Sequence, residues 1–204
     1  MRISKQAKQE TDSRILKAAE KLFLSKGYED TTTRDIASSA GIATGTLFNY
    51  YKTKESLAMR LVTNAMLQGQ EDFTGKTTGE EEIGEEIFMI MTAELRRLRP
   101  YRSFIGPVLE SGLSLFVKNA PNEEGEALRL QHLHKIEEIV NRHGSFEVPF
   151  EVAASLYWSL YLGILAHWCR DESEHQEETL ALIDYSISMF TRTMNYDVIR
   201  EERK

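Results

Sequence analysis

The chain has 204 residues, of which 41% are apolar and 28% are charged. This length allows one large domain or two smaller ones, and the apolar share is enough for a buried core. The single cysteine, Cys169, excludes an internal disulfide. Because the residues after Met1 also lack the apolar segment of a secretory signal, we expect a cytoplasmic protein.

Charge is divided unevenly along the chain, whose formal net value is −7. Residues 1–60 carry 11 Lys and Arg against 7 Asp and Glu, whereas residues 61–204 carry 14 against 25. A basic head on an acidic body places the attraction for an anion such as a phosphate near the N-terminus. The excess is small, and a chance imbalance stays open as an alternative.

One segment, residues 152–169, has 18 residues without a formal charge, the length at which a membrane span has to be considered. It contains two serines and a histidine, and the charged residues Glu151 and Arg170 bound it closely. A helix that is buried on several sides explains this run better than a membrane span.

Apolar residues recur at helical spacing throughout, and no stretch alternates as a strand does, so the sequence predicts an all-α fold. The first helix is predicted over residues 12–26, with Thr11 as its N-cap and Gly27 at its end. Five longer helices are predicted in the C-terminal part. They lie near residues 80–98, 103–118, 122–143, 149–170 and 176–200.

Two short helices follow the first one and are joined by a turn that begins at a glycine. The earlier helix is predicted over residues 33–40, where Thr32 and Asp35 have the spacing of a capping box. The later helix is predicted over residues 44–51, and a longer one over 54–68. Two short helices joined in this way are typical of a helix-turn-helix, whose second helix enters the major groove of DNA.

The second of these helices has the chemistry of a DNA reader. It contains no acidic residue, and its threonine and asparagine side chains can bond to base edges or phosphates. Gly45 would let the backbone approach closely, and polar or basic residues on both flanks can bind phosphates. The predicted DNA contacts are Thr33, Arg34, Thr44, Gly45, Thr46, Phe48, Asn49, Tyr50, Lys52 and Lys54.

The aromatic residues of this helix could instead belong to a core, as is usual in a short apolar helix. However, three of the four residues from Phe48 to Tyr51 are aromatic, and they cannot all face inward on two helical turns. At least one must be exposed, which favours a contact with DNA over a purely structural role.

Residues 11–60 resemble the DNA-binding domain of the tetracycline-repressor (TetR/AcrR) family of bacterial regulators. The matching segments are AAEKLF at 18–23, KGY at 26–28, TTRDIA at 32–37, AGI at 40–42, GTLF at 45–48 and YYKTKE at 50–55. The other three quarters of the chain resemble the family only in the number of helices. The resemblance implies an all-α homodimer that binds a palindromic operator and releases it when a small molecule enters the C-terminal domain.

The resemblance also places Thr33, Arg34 and Lys54 on phosphates and residues 44–50 in the groove. Two departures from the family pattern occur. The family often has Ser-Lys where this chain has Ala43-Thr44, and Tyr where it has Phe48. The lysine charge and the tyrosine hydroxyl that would bind phosphate are therefore missing, although the Thr44 hydroxyl can substitute for one of them.

The last two predicted helices have the pattern of a dimer interface. The final helix repeats apolar residues at steps of three and four, and the helix before it carries small residues at every fourth position. Both features predict a four-helix bundle between two subunits, although a core helix of a monomer would show them too. The predicted interface residues are Ser155, Ser159, Leu162, Gly163, Ile183, Ile187 and Phe190.

Aromatic and methionine side chains in the C-terminal helices suit a pocket for an apolar small molecule with a few polar anchors. Pro107 is expected to kink or break the helix predicted over residues 103–118. The predicted pocket residues are Phe88, Met91, Leu95, Tyr101, Phe104, Leu113, Phe116, Leu133, Trp158 and Tyr161. For any one of them, a place in an ordinary core is the simpler alternative.

Little else in the sequence points to chemistry. The five histidines are scattered, and His132 and His134 diverge on a helix because they lie two positions apart. The sequence contains no metal-ligand cluster and no phosphate-binding glycine loop. We therefore expect no catalytic residue, metal or cofactor.

These observations predict a helix-turn-helix domain over residues 1–53 and a helical domain for ligand binding and dimerisation over residues 54–204. The predicted function is a transcriptional repressor rather than an enzyme. Its expected partners are double-stranded operator DNA, a second copy of the chain and a small-molecule effector, with no membrane. Two alternatives stay open: a DNA-binding activator without an effector, and a helical enzyme or small-molecule carrier that uses the C-terminal pocket.

Overall fold

A computed structural model of the chain describes residues 4–113, 123–144 and 148–194. Within those ranges the chain is all-α, as the sequence predicts, and forms nine α-helices and no strand. The helices are α1 (Lys5–Ser25), α2 (Thr33–Ser39), α3 (Thr44–Tyr50), α4 (Lys54–Thr74), α5 (Ile83–Leu98), α6 (Ile105–Leu113), α7 (Glu123–His143), α8 (Phe150–Trp168) and α9 (Glu177–Met194).

The chain divides into two compact units. The first contains Met1–Ala65 together with Leu98–Gly125, and the second contains Met66–Arg97 together with Glu126–Lys204. The DNA-reading segment predicted from the sequence therefore shares its unit with the start of α4, with α6 and with the first residues of α7. The sequence predicts a boundary at residue 53 between a DNA-binding domain and a domain for ligand binding and dimerisation. That functional division stays a prediction.

The first helix starts earlier than predicted, at Lys5, and Ser4 rather than Thr11 is its N-cap. The hydroxyl of Ser4 accepts a hydrogen bond from the backbone N–H of Ala7 at 3.1 Å. The hydroxyl of Thr11, inside the helix, donates to the carbonyl of Ala7 at 2.9 Å. A threonine can satisfy its hydroxyl in this way within a helix, so its presence does not mark an N-terminus.

The predicted capping box of α2 is confirmed. The hydroxyl of Thr32 accepts from the backbone N–H of Asp35 at 3.2 Å, and the carboxylate of Asp35 accepts from the backbone N–H of Thr32 at 3.0 Å. Gly41, with a φ of 67°, then turns the chain toward α3. Thr53 caps α4 through a 3.0 Å bond from the backbone N–H of Ser56.

The core of the first unit joins α1, α2, α3 and α4 through apolar side chains that are fully buried. These include Ile15, Ala19, Ile36, Leu47 and Leu57. The segment at the start of α6 packs onto the same core. The ring of Phe104 lies 5.5 Å from that of Phe23 and 5.2 Å from that of Tyr28, measured between ring centroids.

Pro107 does not break a helix, contrary to the expectation from the sequence. The helix starts at Ile105, which places Pro107 in its first turn. Backbone N–H groups in the first turn have no partner within the helix, so a proline there removes no hydrogen bond. The kink or break expected inside this helix is therefore absent from its described residues.

The second unit is built around α8, which packs against α9. The largest fully buried side chains of α8 are Tyr157, Trp158, Tyr161 and Trp168. The uncharged run at residues 152–169 is thus a core helix, and none of the described helices combines the length and apolarity that a membrane crossing requires. α4 and α5 approach closely at Gly69, where a Cβ atom would lie 2.7 Å from the Cα of Glu94.

Candidate DNA-binding site

The α3 helix presents one buried face and one open face. Leu47 is fully buried, whereas Phe48 is 40% exposed and Asn49 is exposed. Thr44, Thr46 and Tyr50 are half-buried, and a Cβ atom added at Gly45 would meet no atom within 4 Å. The expectation that at least one aromatic residue of this segment faces outward is met by Phe48.

A chain of polar contacts holds the end of α3 in place. The hydroxyl of Tyr51, which is 5% exposed, donates a 2.7 Å hydrogen bond to the carboxylate of Asp12. The guanidinium of Arg60 lies beside Tyr51 and 2.6 Å from the carboxylate of Glu124. Burial, followed by the contact with Asp12, raises the pKa of Tyr51 well above its usual range, so the hydroxyl stays protonated and donates.

The predicted phosphate contacts on the α2 side differ in accessibility. Arg34 is exposed, and Thr33 is half-buried. Lys26, in the loop before α2, lies 2.7 Å from Asp35. This hydrogen bond is the largest cause of the lowered pKa of Asp35, which falls to about 2, and the bonds from Thr32 add to it. The negative charge of Asp35 is thus neutralised locally and does not oppose a phosphate near Arg34.

The two lysines that follow α3 are not equivalent. Lys52 is exposed. The ammonium of Lys54, by contrast, donates to the carbonyl of Tyr28 at 2.8 Å and lies 4.2 Å from the centroid of the Tyr28 ring. It also donates to the carbonyl of Glu29 at 3.4 Å. Sequence reasoning assigned Lys54 to phosphate alone, and its contacts with the chain before α2 were missed because they depend on tertiary structure.

Two family models match this chain. Residues 15–61 match the model of bacterial regulatory proteins of the tetR family, and residues 87–202 match the model of the tetracyclin repressor-like C-terminal domain. The chain belongs to the tetracycline-repressor family. This is a family of transcriptional regulators rather than enzymes, and the helix-turn-helix is its DNA-binding element.

Among the relatives of this TetR-family chain, the HTH-type transcriptional regulator YerO of Bacillus subtilis is 31% identical over 106 residues, which are 47% of this chain and 34% of YerO. The transcriptional repressor KstR2 of Mycolicibacterium smegmatis is 44% identical over 43 residues, 21% of each chain. The matches span about a third or less of the length of these relatives.

Solved structures of TetR-family regulators share the fold over nearly the whole chain. The repressor FadR of Thermus thermophilus, in complex with lauroyl-CoA, has a TM-score of 0.69 at 18% identity and covers 90% of this chain and 94% of its own. A regulator from Rhodococcus sp. RHA1 has a TM-score of 0.71 at 17% identity, with coverages of 90% and 96%. At such identities the likeness shows the fold alone.

The residues predicted for the dimer interface of this TetR-family chain are divided between an exposed face and a buried core. Ser155, Ser159 and Gly163 are exposed on α8, and Leu162 is half-buried. The three predicted residues of α9, which belong to its apolar repeat, are buried within their own unit. They are Ile183, Ile187 and Phe190. The ring of Phe190, for example, lies 5.4 Å from that of Tyr157 on α8. The heptad spacing therefore describes packing inside the protomer.

The predicted pocket residues are divided between the two units. Met91, Leu95, Leu133, Trp158 and Tyr161 are buried in the second unit, where Phe88 is half-buried. Tyr101, Phe104 and Leu113 are buried in the first unit instead. Tyr101 donates a 2.5 Å hydrogen bond to Glu20 on α1. Phe116 lies outside the described residues.

Sequence reasoning missed a buried polar cluster in the second unit, centred on Glu94. This side chain has no exposed surface, and its carboxylate accepts hydrogen bonds from three donors. They are the amide of Gln70 at 2.9 Å, Nδ1 of His132 at 2.8 Å and the hydroxyl of Tyr161 at 2.5 Å. Nε2 of His132 in turn lies 2.8 Å from the hydroxyl of Tyr157. We call these five residues the Glu94 cluster.

The partners of Glu94 lie 24 to 67 positions away along the chain, so local spacing could not bring them together. One feature of the sequence did indicate burial. Glu94 falls in step with Ile87, Ile90, Met91 and Leu98, which form the apolar stripe of α5. A carboxylate on such a stripe must be paired within the protein. Burial and the charge of Glu94 raise the pKa of both tyrosines well above the usual value, so their hydroxyls stay protonated.

A groove of about 530 Å³ opens on the second unit beside the Glu94 cluster. It is lined by α4 and α7, and Gln70 both lines it and donates to Glu94. Its charged lining residues are Glu71 on α4 and, on α7, Lys135 and Glu138, which form a 2.8 Å ion pair. Gln70 thus connects a surface that small molecules can reach to a buried carboxylate.

Among the described residues, His167, Asp171 and Glu178 bring three ligand atoms within 4.8 Å of one another. The carboxylate of Asp171 is already occupied, because one oxygen accepts from the backbone and hydroxyl of Ser173 and the other from those of Thr179. These four bonds hold the pKa of Asp171 far below its usual range. They fix the turn that leads into α9, and we assign Asp171 this structural role.

Proposed function

We propose that this TetR-family regulator is a ligand-responsive repressor that binds a palindromic operator as a homodimer. The observation that carries the proposal is the open face of α3, where Phe48 and Asn49 are exposed next to the fully buried Leu47. A helix that is anchored by a buried residue and by a capped neighbouring helix, with uncharged side chains facing outward, suits the major groove. The ten DNA contacts predicted from the sequence are part of this proposal.

Dimerisation is supported by the apolar surface that α8 and α9 leave open. Five large apolar side chains on these two helices are exposed in the described protomer, between 39% and 74%. They are Val152, Leu156, Leu180, Tyr185 and Met189. Large apolar side chains that are exposed on two helices packed against each other indicate a candidate protein interface. The proposed surface therefore consists of these residues with Ser155, Ser159, Leu162 and Gly163, and it leaves out Ile183, Ile187 and Phe190.

A dimer is also what operator binding requires. Two reader helices related by a two-fold axis bind two half-sites about 34–36 Å apart, and the operator is then palindromic. The relatives support regulation of this kind, since KstR2 is named a repressor and the Thermus FadR repressor was solved with lauroyl-CoA. For this chain, we propose that a small molecule enters the second unit and biases the dimer away from the operator-binding arrangement.

A footprint on the DNA that flanks the gene tests the proposal. Purified wild-type protein is expected to protect a palindromic site at low salt, and candidate effectors are expected to remove the protection. The double variant Phe48→Ala/Asn49→Ala is expected to lose the footprint while keeping its helical circular dichroism. Increased expression from the protected promoter when the gene is present would point to an activator. A wild-type protein that binds no duplex at low salt would contradict the proposal and favour a carrier or an enzyme.

A further inference from the structure

The open face of α3 has a composition that selects among base pairs. We infer that α3 reads A·T rather than G·C pairs in each half-site, with Asn49 on an adenine and Phe48 on a thymine methyl group. This inference rests on the proposed function and names the kind of sequence that the site takes. Three observations support it: α3 contains no charged residue, the chemistry of its exposed residues matches an A·T pair, and the space around Gly45 is open.

The residues of α3 carry no charge of either sign. Guanine offers two acceptors in the major groove, and arginine or lysine, which donate to both, is the commonest side chain that reads it. The amino group of cytosine is read by acidic side chains. Because α3 contains none of these four residue types, neither partner of a G·C pair meets its usual reader on this helix.

The nearest cations lie outside the helix. Lys52 follows α3 and is exposed, and Arg34 lies on α2. Lys54 is partly occupied by the carbonyls of Tyr28 and Glu29. Residues that flank a reader helix contact the sugar–phosphate backbone, which positions the protein and carries little sequence information.

Phe48 and Asn49, the exposed residues of α3 that carry side chains, match an A·T pair. The Asn49 amide offers one donor and one acceptor, the arrangement that pairs with N7 and N6 of adenine. Phe48 is 40% exposed, so part of its apolar ring is in contact with water. Covering this surface with an apolar group of DNA would be favourable. The C5-methyl of thymine is the one apolar group in the major groove, and aromatic side chains contact it.

Gly45 adds an argument about distance. Glycine is less favourable than alanine in a helix, by about 0.5–1 kcal/mol in the middle of one, and Gly45 is the second residue of α3. A fold usually requires glycine where a Cβ atom would clash or where φ is positive. Neither applies here, since a Cβ atom at Gly45 would meet nothing within 4 Å and the backbone is helical. The missing side chain therefore serves an external contact, and it lets the helix lie deep enough for Phe48 to reach a base edge.

Selection from synthetic duplexes with a random central segment tests the inference without a known operator. The full-length wild type, Asn49→Ala and Phe48→Ala are each used to select sequences, and Leu24→Ala is the control because Leu24 is an apolar residue of α1 that is 49% exposed. The positions whose base preference changes in the two α3 variants, but not in the control, are the pairs that α3 reads. We expect A·T at these positions.

A second measurement isolates the methyl contact. In the duplex selected by the wild type, thymine at a position that depends on Phe48 is replaced by uracil, which removes only the C5-methyl. Affinity of the wild type is expected to fall about fourfold, the factor for one methyl group. Affinity of Phe48→Ala is expected to stay unchanged by the replacement.

The outcomes separate the inference from the proposed function. G·C pairs at the positions that depend on α3, or base preferences that neither variant changes, would overturn the inference while DNA binding itself stands. An equal loss on uracil replacement in the wild type and in Phe48→Ala would remove Phe48 from the thymine contact. A wild type that selects no sequence and binds no duplex at low salt would contradict the proposed function as well.

Discussion

The hydroxyl of Tyr51 and the carboxylate of Asp12 are joined by a 2.7 Å hydrogen bond that spans 39 residues of sequence. Tyr51 directly follows the last residue of α3, and Asp12 lies in α1. The bond thus fixes the C-terminal end of α3 to α1. Because the acceptor is charged and the donor is buried, this is a stronger hydrogen bond than a neutral one.

We predict that Tyr51→Phe lowers the free energy of unfolding by about 1.5–3 kcal/mol, the range for a hydrogen bond to a charged group. Urea denaturation followed by circular dichroism measures this change. Tyr50→Phe is the control, because the neighbouring Tyr50 side chain is half-buried and its hydroxyl makes no hydrogen bond to the other described residues. Equal stabilities of the two variants would mean that the Tyr51 bond contributes nothing.

The different contacts of Lys52 and Lys54 predict different phenotypes. Lys52 is exposed, so Lys52→Ala is expected to weaken binding to all duplexes alike and to lower the salt dependence by about one unit of slope. Lys54→Ala removes, in addition, the contacts of the ammonium with Tyr28 and Glu29. It is expected to lower both DNA affinity and the free energy of unfolding.

Gel-shift titrations at several salt concentrations, together with urea denaturation, distinguish the two lysines. Lys54→Arg keeps the charge but changes the geometry of the donors, so it should retain most of the salt dependence and lose part of the stability. If Lys54→Ala proves as stable as Lys52→Ala, the bonds from Lys54 to the carbonyls of Tyr28 and Glu29 do not contribute to the free energy of unfolding.

The sequence predicted the first unit better than the second for a physical reason. Helix ends in the first unit depend on local chemistry, such as the reciprocal bonds of Thr32 and Asp35 or the positive φ of Gly27, and these interactions span only a few residues. Thr11 was misassigned because a threonine hydroxyl can also bond back to the carbonyl of Ala7 within a helix.

The sequence did not predict which neighbouring element each face of a helix contacts. Heptad spacing shows that Ile183 and Phe190 share a face of α9, but it does not distinguish the core of a protomer from the surface of a dimer. Glu94 shows the same limit, since its position on an apolar stripe indicates burial but not the identity of its partners. Such pairings depend on tertiary packing, which a single sequence does not determine.

Asp35 is predicted to titrate at an unusually low pH. Its pKa is lowered to about 2, first by the hydrogen bond from Lys26 and then by those from Thr32. The carboxylate form therefore stabilises α2 fully above pH of about 4, the ordinary value, and this contribution is lost as the pH falls toward about 2.

NMR titration of the Asp35 side chain checks this prediction, and Lys26→Met provides the comparison. Without the ammonium of Lys26, the midpoint is expected to rise toward the ordinary value, although the bonds from Thr32 keep it somewhat lower. An unchanged midpoint in Lys26→Met would show that the capping box alone lowers the pKa.

Glu94→Ala is predicted to destabilise the second unit strongly. The substitution leaves the amide of Gln70, the ring of His132 and the hydroxyl of Tyr161 buried without their acceptor. Removing one member of a buried charged network typically costs about 3–5 kcal/mol. Urea denaturation should show this loss, whereas Glu172→Ala, at an exposed position, should change stability little. A loss below about 1 kcal/mol would mean that the network is not coupled to folding.

Gly163 offers a test of the dimer in which stability and assembly move in opposite directions. In the protomer a Cβ atom at this position would meet nothing within 4 Å, so nothing in the chain itself requires glycine. Alanine is favoured over glycine in a helix by about 0.8–1.0 kcal/mol, and Gly163→Ala should therefore stabilise the isolated protomer. If another α8 helix packs against this stripe, the added methyl group would hold the two backbones apart.

We accordingly predict that Gly163→Leu, which enlarges the same position further, shifts the protein from dimer to monomer in sedimentation equilibrium while its helix content is kept. Leu130→Ala is the control, since Leu130 is 56% exposed on α7 and lies outside the proposed interface. Operator affinity should fall with the loss of the dimer, because a monomer presents only one reader helix. A Gly163→Leu variant that stays dimeric would place the interface on another surface of the chain.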